Sequence, residues 1–92
     1  MAAKESQGIM DVGAAVFVRT VTHSYTGRVA AVKDGFLTLD DAAWIADSGR
    51  WAAALATGSL SEVEPFPGSV MVSMGAVVDV SPWKHALPRE TK

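Results

Sequence analysis

The chain has 92 residues, 49% of them hydrophobic and 20% charged, with a formal net charge of −2 and no cysteine. A chain of this length supports one compact core and not two, and the missing cysteines exclude a disulfide framework and thiolate metal sites. With His23 and His85 as the only histidines, we expect no metal site and no other cofactor. The slight acidity argues against a protein whose main task is to neutralise a phosphate backbone.

The sequence has neither a stretch of about 18 apolar residues nor the pattern of a signal peptide at its start. We therefore expect no membrane partner and a cytoplasmic location. Residues 1–12 are polar and predict a flexible N-terminal arm.

The stretch that follows is rich in Val, Phe, Thr and Tyr and alternates in polarity, which is typical of strands. Three strands are predicted, at about 14–22, 25–33 and 36–41. Gly27 lies inside the second of them and predicts a bulge or a sharp bend. Asp34-Gly35 separates the second from the third and predicts a two-residue type I′ hairpin turn.

The segment after these strands changes period. "DSGRWAAALATG" predicts a short helix at about 49–57, with Asp47 or Ser48 as its N-cap and Gly58 at its end. The preceding "AAWIA" is either the end of the third strand or another helical turn. If the helix extends that far, Trp44 and Trp51 share one face, and we expect them to pack in a core or an interface.

Two prolines make residues 62–69 an extended loop or an edge segment. Residues 69–81, "SVMVSMGAVVDVS", predict two short apolar strands with Gly75 at the joint. The predicted organisation is thus a barrel over 13–82, a helical insertion at about 42–60 and a surface tail over 83–92. A mainly β fold with five short strands favours a small closed barrel, SH3-like or OB-like, because closure removes sheet edges.

The order of these features resembles the Sm-like proteins, which include the Lsm proteins and the bacterial RNA chaperone Hfq. Their first motif reads here as Gly27, Val29, Val32, Asp34-Gly35, Phe36, Leu37, Leu39, and Asp40 or Asp41. Their second motif reads as "VMVSMGAVVDV" with Gly75 at the bend. The resemblance covers about 14–41 and 70–81, and it implies a five-stranded, strongly bent barrel with one short inserted helix.

The resemblance also implies a ring, because in that family the fourth strand of one subunit pairs with the fifth strand of the next. We expect a homo-oligomer of five to seven subunits. The expected interface residues lie in the second motif and are Val72, Met74, Ala76 and Val78.

In the family, RNA bases are held by polar side chains in the turn of the first motif and at the bend of the second. The resemblance places Asp34 in the first turn and Met74 and Gly75 at the bend. Tyr25 and Phe36 are the further candidates, because their rings either stack on bases or pack in the barrel or between subunits. Met74 stands where the family has a cation, and a thioether cannot pair with a phosphate or a base edge. The sequence therefore favours a structural or interaction module, with a weakened RNA-binding ring as the alternative.

The string "WKHA" (83–86) resembles the Tyr-Lys-His-Ala of Hfq, but it falls after the second motif. Aligned motif to motif, the equivalent residues are Ser73 to Ala76, so we interpret "WKHA" as a coincidence. The sequence shows no nucleophile elbow, paired catalytic carboxylates or phosphate loop, and predicts no enzyme. Asp40 and Asp41, near Asp47, either bind a cation or form an acidic cap before the helix.

Overall fold

The structure is a computed structural model and describes residues 10–92; most of the predicted flexible arm lies outside these residues. The elements, in chain order, are β1 (Ala15–Thr20), β2 (Ser24–Lys33), β3 (Phe36–Asp47), α1 (Trp51–Thr57), β4 (Glu62–Pro65), β5 (Val70–Ser73), a 3-10 turn (Met74–Ala76) and β6 (Val77–Pro82). The fold is mainly β with one short helix, which confirms the predicted fold class.

All the strands form one antiparallel sheet in the order β4-β3-β2-β1-β6, with β5 also paired to β3. β5 lies beside the first part of β3, from Phe36 to Leu39, and β4 lies beside the last part, from Ala43 to Asp47. β4 and β5 are therefore two pieces of one interrupted strand on the same edge of β3. Pro65 and Pro67 account for the interruption, because proline cannot donate to the ladder.

Of the two alternatives for "AAWIA", the structure shows the first, because the segment continues β3 as far as Asp47 and makes no helical turn. The predicted helical insertion at 42–60 is thus wrong in its first part. Trp44 belongs to β3 and does not share a helix face with Trp51. The helix ends at Gly58, as predicted, whereas Arg50 occupies the N-cap position without a side-chain bond.

The predicted bend and turn are both present. The β2–β3 register shifts between Thr26 and Arg28, and a Cβ on Gly27 would lie 2.9 Å from the Cβ of Leu39. The close approach of β3 therefore requires glycine at this position. In the hairpin, Asp34 and Gly35 have φ angles of 54° and 81°, the two positive values of a type I′ turn.

A first core fills the inside of the bent sheet and is called the barrel core here. Its buried side chains are Val16, Val18, Val29, Leu37, Leu39, Ala42 and Val72. They come from β1, β2, β3 and β5, so the two motifs of the sequence meet in this core. Met10, in the last part of the predicted arm, also packs against it.

A second core lies on the opposite face of the sheet and is called the outer core. Its buried residues are Phe17, Ala43, Ile45, Ala54, Leu60, Val63 and Trp83. The Phe17 ring contacts Trp51 edge-on at 4.7 Å between centroids and Trp83 at 5.7 Å. Helix α1 and the segment after β6 therefore cover a sheet face that would otherwise expose apolar side chains.

The segment 83–92 was predicted to be a surface tail, and Trp83 contradicts this because it is only 4% exposed. Its amide donates to the carbonyl of Ala15 at 2.9 Å. Further on, Lys92 and Val63 exchange two backbone hydrogen bonds of 2.9 Å, which adds the end of the tail to the edge of β4. The tail is thus attached to the sheet at its first residue and at its last.

Two residues of "WKHA" have structural roles in this arrangement. Trp83 fills the outer core, and His85 places its ring over Gly58 with Nε2 2.8 Å from the carbonyl oxygen of Leu55, near the end of α1. These positions lie outside the strand–turn–strand of the second motif, in agreement with the interpretation of the string as a coincidence.

Residues 10–92 contain no helix that is long and apolar enough to cross a membrane. Over the same residues, no group of three or more His, Asp or Glu side chains is close enough to hold a metal ion.

Candidate assembly edges and turn site

The turns of the two motifs meet at one end of the barrel. The amide of Met74 donates to the carbonyl of Gly35 at 2.9 Å, and Ser73 pairs with Phe36 across the sheet. The structure therefore brings together four of the five residues predicted for base binding: Asp34, Phe36, Met74 and Gly75.

The chemistry of this turn site is limited. The Phe36 side chain is 41% exposed, and Lys33 faces it across the hairpin. Met74 packs against the barrel core, and its thioether can donate no hydrogen bond. The site offers one aromatic face and one ammonium group, with the carboxylate of Asp34 in the turn between them.

Tyr25, the fifth predicted residue, lies elsewhere. It pairs with Trp44 across β2 and β3, and its ring stacks on Phe66 at 6.2 Å between centroids. Neither contact involves the hairpin turn or the 3-10 turn, so the structure does not place Tyr25 in the turn site.

Two strands have an edge without a partner in the part of the chain that the structure describes. β5 pairs only with β3, and β6 pairs only with β1. The outer edge of β4 differs, because Lys92 already pairs with Val63 there. Unpaired backbone groups on an edge strand are templates for pairing with another strand.

The predicted interface residues divide between these edges and the core. Val72 needs correction, because its side chain is 5% exposed and belongs to the barrel core, which leaves only its backbone at the edge. Met74 and Ala76 are half-buried in the 3-10 turn. Val78 is 61% exposed. It has no partner in β1, because its neighbours Asp79 and Val77 pair with the consecutive residues Arg19 and Thr20.

Met71 is an exposed apolar side chain on β5 that the sequence analysis missed. It is 61% exposed, like Val78 on the other free edge. The alternation of the strand could have identified it, because side chains on either side of an inward-facing Val72 must point outward.

β6 also carries the one close ion pair among the described residues. The Nε of Arg19 donates to both carboxylate oxygens of Asp79, at 2.9 and 3.1 Å, and Nη2 also contacts Asp79. The Arg19 guanidinium lies 5.2 Å from the ring centre of Trp51. The hydrogen bonds from Arg19, together with its charge, hold the pKa of the Asp79 carboxyl below its usual value.

The fold is similar to solved Sm structures. A heptameric archaeal Sm protein aligns with 22% sequence identity and a TM-score of 0.57, over 88% of this chain and 94% of that chain. The SmAP1 heptamer of P. aerophilum aligns with the same identity and TM-score, over 88% of this chain and 86% of that chain. No protein-family model matches the sequence, and a comparison with curated proteins finds no match.

Proposed function

Because the chain has the Sm-like fold, we propose that it assembles in the cytoplasm into a homo-oligomeric ring, a non-enzymatic structural or interaction module. The observation that supports this most directly is the pair of free edges on β5 and β6. Two different edges, one from each neighbour, make a head-to-tail contact, and head-to-tail contacts close into rings when the rotation between subunits permits.

The side chains at these edges agree with such a contact. Met71 and Val78 are both 61% exposed, and each lies on one of the two strands that would pair. In the ring, Met71 of one subunit approaches Val78 of the next, and both become buried. Removing apolar side chains of this size from water contributes about 1.5–3 kcal/mol each when burial is complete.

The tail restricts which edge is available. Lys92 pairs with Val63 on the outer edge of β4, so a neighbouring strand that added there would have to displace the tail. The outer edge of β5 has no strand partner among the described residues, so a neighbouring strand can add to it directly. The two Sm structures described above are heptamers, and we propose a ring of five to seven subunits.

The ring can be tested with one substitution on each free edge. Met71→Asp and Val78→Asp place a charge in the proposed contact, whereas Val12→Asp, at a side chain that is 75% exposed and far from both edges in sequence, is the matched control. Native mass spectrometry at micromolar concentration should show a ring for the unmodified chain and the control, and smaller species for the two edge variants. A monomeric unmodified chain would contradict the proposal.

RNA binding by the ring is a second candidate, and the exposure of Phe36 beside Lys33 favours it. An exposed aromatic ring can stack on any base with about 1–3 kcal/mol, and an ammonium group can contact a phosphate. Lys33 is the one cation assigned to the turn site among residues 10–92, and Asp34 carries a negative charge there, so we rank this function below assembly.

Fluorescence anisotropy with short U-rich and A-rich oligonucleotides distinguishes the two functions. Salt-sensitive binding that weakens in Phe36→Ala would support the RNA-binding ring. Absence of binding at low salt, with the ring intact by mass spectrometry, would remove it.

A further inference from the structure

A group of aromatic side chains lies away from the turn site, and neither proposed function uses it. His23 lies 5.7 Å from Trp44 and 6.2 Å from Tyr25, and Tyr25 lies 6.2 Å from Phe66, all between ring centres. These four residues are called the aromatic surface here. They come from the turn between β1 and β2, the start of β2, the second half of β3 and the segment after β4, and Trp44 is 37% exposed.

The sheet explains why these rings are next to one another. Tyr25 and Trp44 are direct cross-strand partners, and Trp44 in turn faces Glu64 on β4. Directly opposed residues of an antiparallel pair have their Cβ atoms about 4.5–5.5 Å apart. The strand register therefore places the side chains of Glu64 and Trp44 next to each other on one face of the sheet.

The charge around the aromatic surface is negative. Glu62 lies two residues before Glu64 on β4, and Asp47 pairs with Glu62 across the sheet. Within residues 10–92 these three carboxylates take part in no ion pair, because the pairs found there join Arg19 to Asp79 and Arg28 to Asp41. Two cations of the same residue range lie nearby: the Arg89 guanidinium donates to the carbonyls of Ala42 and Phe66, and Lys92 pairs through its backbone with Val63, between Glu62 and Glu64. The three carboxylates outnumber them.

We propose that the aromatic surface binds an arginine-bearing peptide segment of a protein partner. A guanidinium can lie on the face of Trp44 or Tyr25 while it donates to the carboxylate of Glu64, which combines a cation–π contact with a charge-assisted hydrogen bond. Indole gives the strongest cation–π contacts among the side chains. Trp44 can make the cation–π contact and Glu64 can accept the hydrogen bond, and the two residues are direct cross-strand partners.

The same charges disfavour a nucleic acid at this position. A strand stacked on Trp44 would bring its phosphates toward Glu62 and Glu64, and like charges in proximity repel. The formal net charge of −2 per chain accumulates in any homo-oligomer and strengthens this effect. A cationic peptide is attracted both by the carboxylates of Glu62 and Glu64 and by the net negative charge of the chain.

None of the residues of the aromatic surface belongs to β5 or β6, the two strands that would pair in the proposed ring. The inference therefore does not depend on the ring. A monomeric chain that binds the peptide would contradict the proposed assembly and leave this inference intact.

The test is fluorescence anisotropy with a fluorescein-labelled heptapeptide of alternating Gly and Arg, titrated with the full chain. The Lys and Glu versions of the peptide and a short oligouridylate are the comparison probes. We expect tightest binding to the Arg peptide, weaker binding to the Lys peptide and none to the Glu peptide. Trp44→Ala should weaken binding of the Arg peptide about tenfold, and Glu64→Gln about threefold.

Phe36→Ala is the matched control, because Phe36 is also a half-exposed ring (41%) but lies at the turn site. Binding of the Arg peptide should be unchanged in this variant. If Trp44→Ala loses its fold by circular dichroism, Glu64→Lys tests the same point by charge reversal and should abolish binding. Equal loss in Phe36→Ala, no loss in the surface variants, or tighter binding of the oligouridylate would overturn the proposal.

Discussion

The two cores of this protein lie on opposite faces of one sheet and are built differently. The barrel core joins side chains from the strands that form the two sequence motifs. The outer core joins Phe17 of β1 to Trp51 of α1 and Trp83 of the tail, which are far apart in sequence. The first is the interior of the Sm-like barrel, and the second is where this chain adds a helix and a tail to the same sheet.

The largest expected effect concerns Trp83, the tail residue of the outer core. If the outer core is as essential as the barrel core, Trp83→Ala should lower the free energy of unfolding by about 3–5 kcal/mol, because it removes a large buried aromatic side chain. Urea denaturation at one fixed protein concentration measures this. Lys84→Ala, next in sequence and exposed, is the control and should change stability little.

If Trp83→Ala leaves the free energy of unfolding almost unchanged, the outer core contributes little to stability. The barrel core would then supply most of the stability of the fold. The two cores would differ in their contribution to stability as well as in the parts of the sequence that form them.

The second prediction probes the barrel core at its bend. Gly27→Ala places a Cβ 2.9 Å from the Cβ of Leu39 and 3.3 Å from that of Ala42. The strands must separate to accept it, and we expect a loss of about 1–3 kcal/mol in unfolding free energy. Gly68→Ala is the matched control, because a Cβ there would meet no atom within 4 Å. Equal stability of the two variants would show that the bend tolerates a side chain.

The barrel could be predicted from the sequence because its determinants are local. Gly27 lies inside a strand pattern and Asp34-Gly35 lies between two strands, so each marks a bend or turn without reference to distant residues. The inward-facing positions then follow from alternation. The same alternation points the side chain of Met71, and not that of Val72, outward, so a subunit contact at Val72 can involve only its backbone.

The outer core could not be predicted because its partners meet only after folding. The tail reads as polar and interrupted by proline, and nothing near Trp83 in sequence shows that Phe17 and Trp51 will enclose its ring. The sequence also left open whether Trp44 lies in a strand or in a helical turn, and the structure shows the strand. An alanine-rich segment favours helix, but pairing with β2 and β4 kept these residues in β3.

The third prediction concerns an imperfection on the outer-core face. Thr26 is fully buried, its cross-strand partners are Phe17 and Ala43, and its hydroxyl has no hydrogen-bond partner among the described residues. Thr26→Val keeps the shape and removes the unsatisfied group, so it should raise the unfolding free energy by about 1 kcal/mol. Thr38→Val, at a half-buried position of β3, should give no comparable gain. A destabilised Thr26→Val variant would indicate that the hydroxyl has a bound partner in solution.

The smallest expected effect lies at the rim of the outer core, where Arg19 joins Asp79 of β6 and contacts Trp51. Since the folded-state pKa of Asp79 is below its usual value of 3.8, the pair stabilises the fold at neutral pH. This contribution is lost as the pH falls below that value and the carboxylate becomes protonated. Both side chains are partly exposed, so water and salt screen the pair.

Asp79→Asn tests this dependence. Its urea midpoint should lie slightly below that of the unmodified chain at pH 7, and the two midpoints should converge in strong acid, where the carboxyl of Asp79 no longer carries a charge. Added salt at pH 7 should narrow the gap as well. A gap that stays constant from neutral to acid pH would assign the loss of stability to altered packing of Arg19 against Trp51. The ion pair would then contribute to stability by positioning Arg19 and not through its charge.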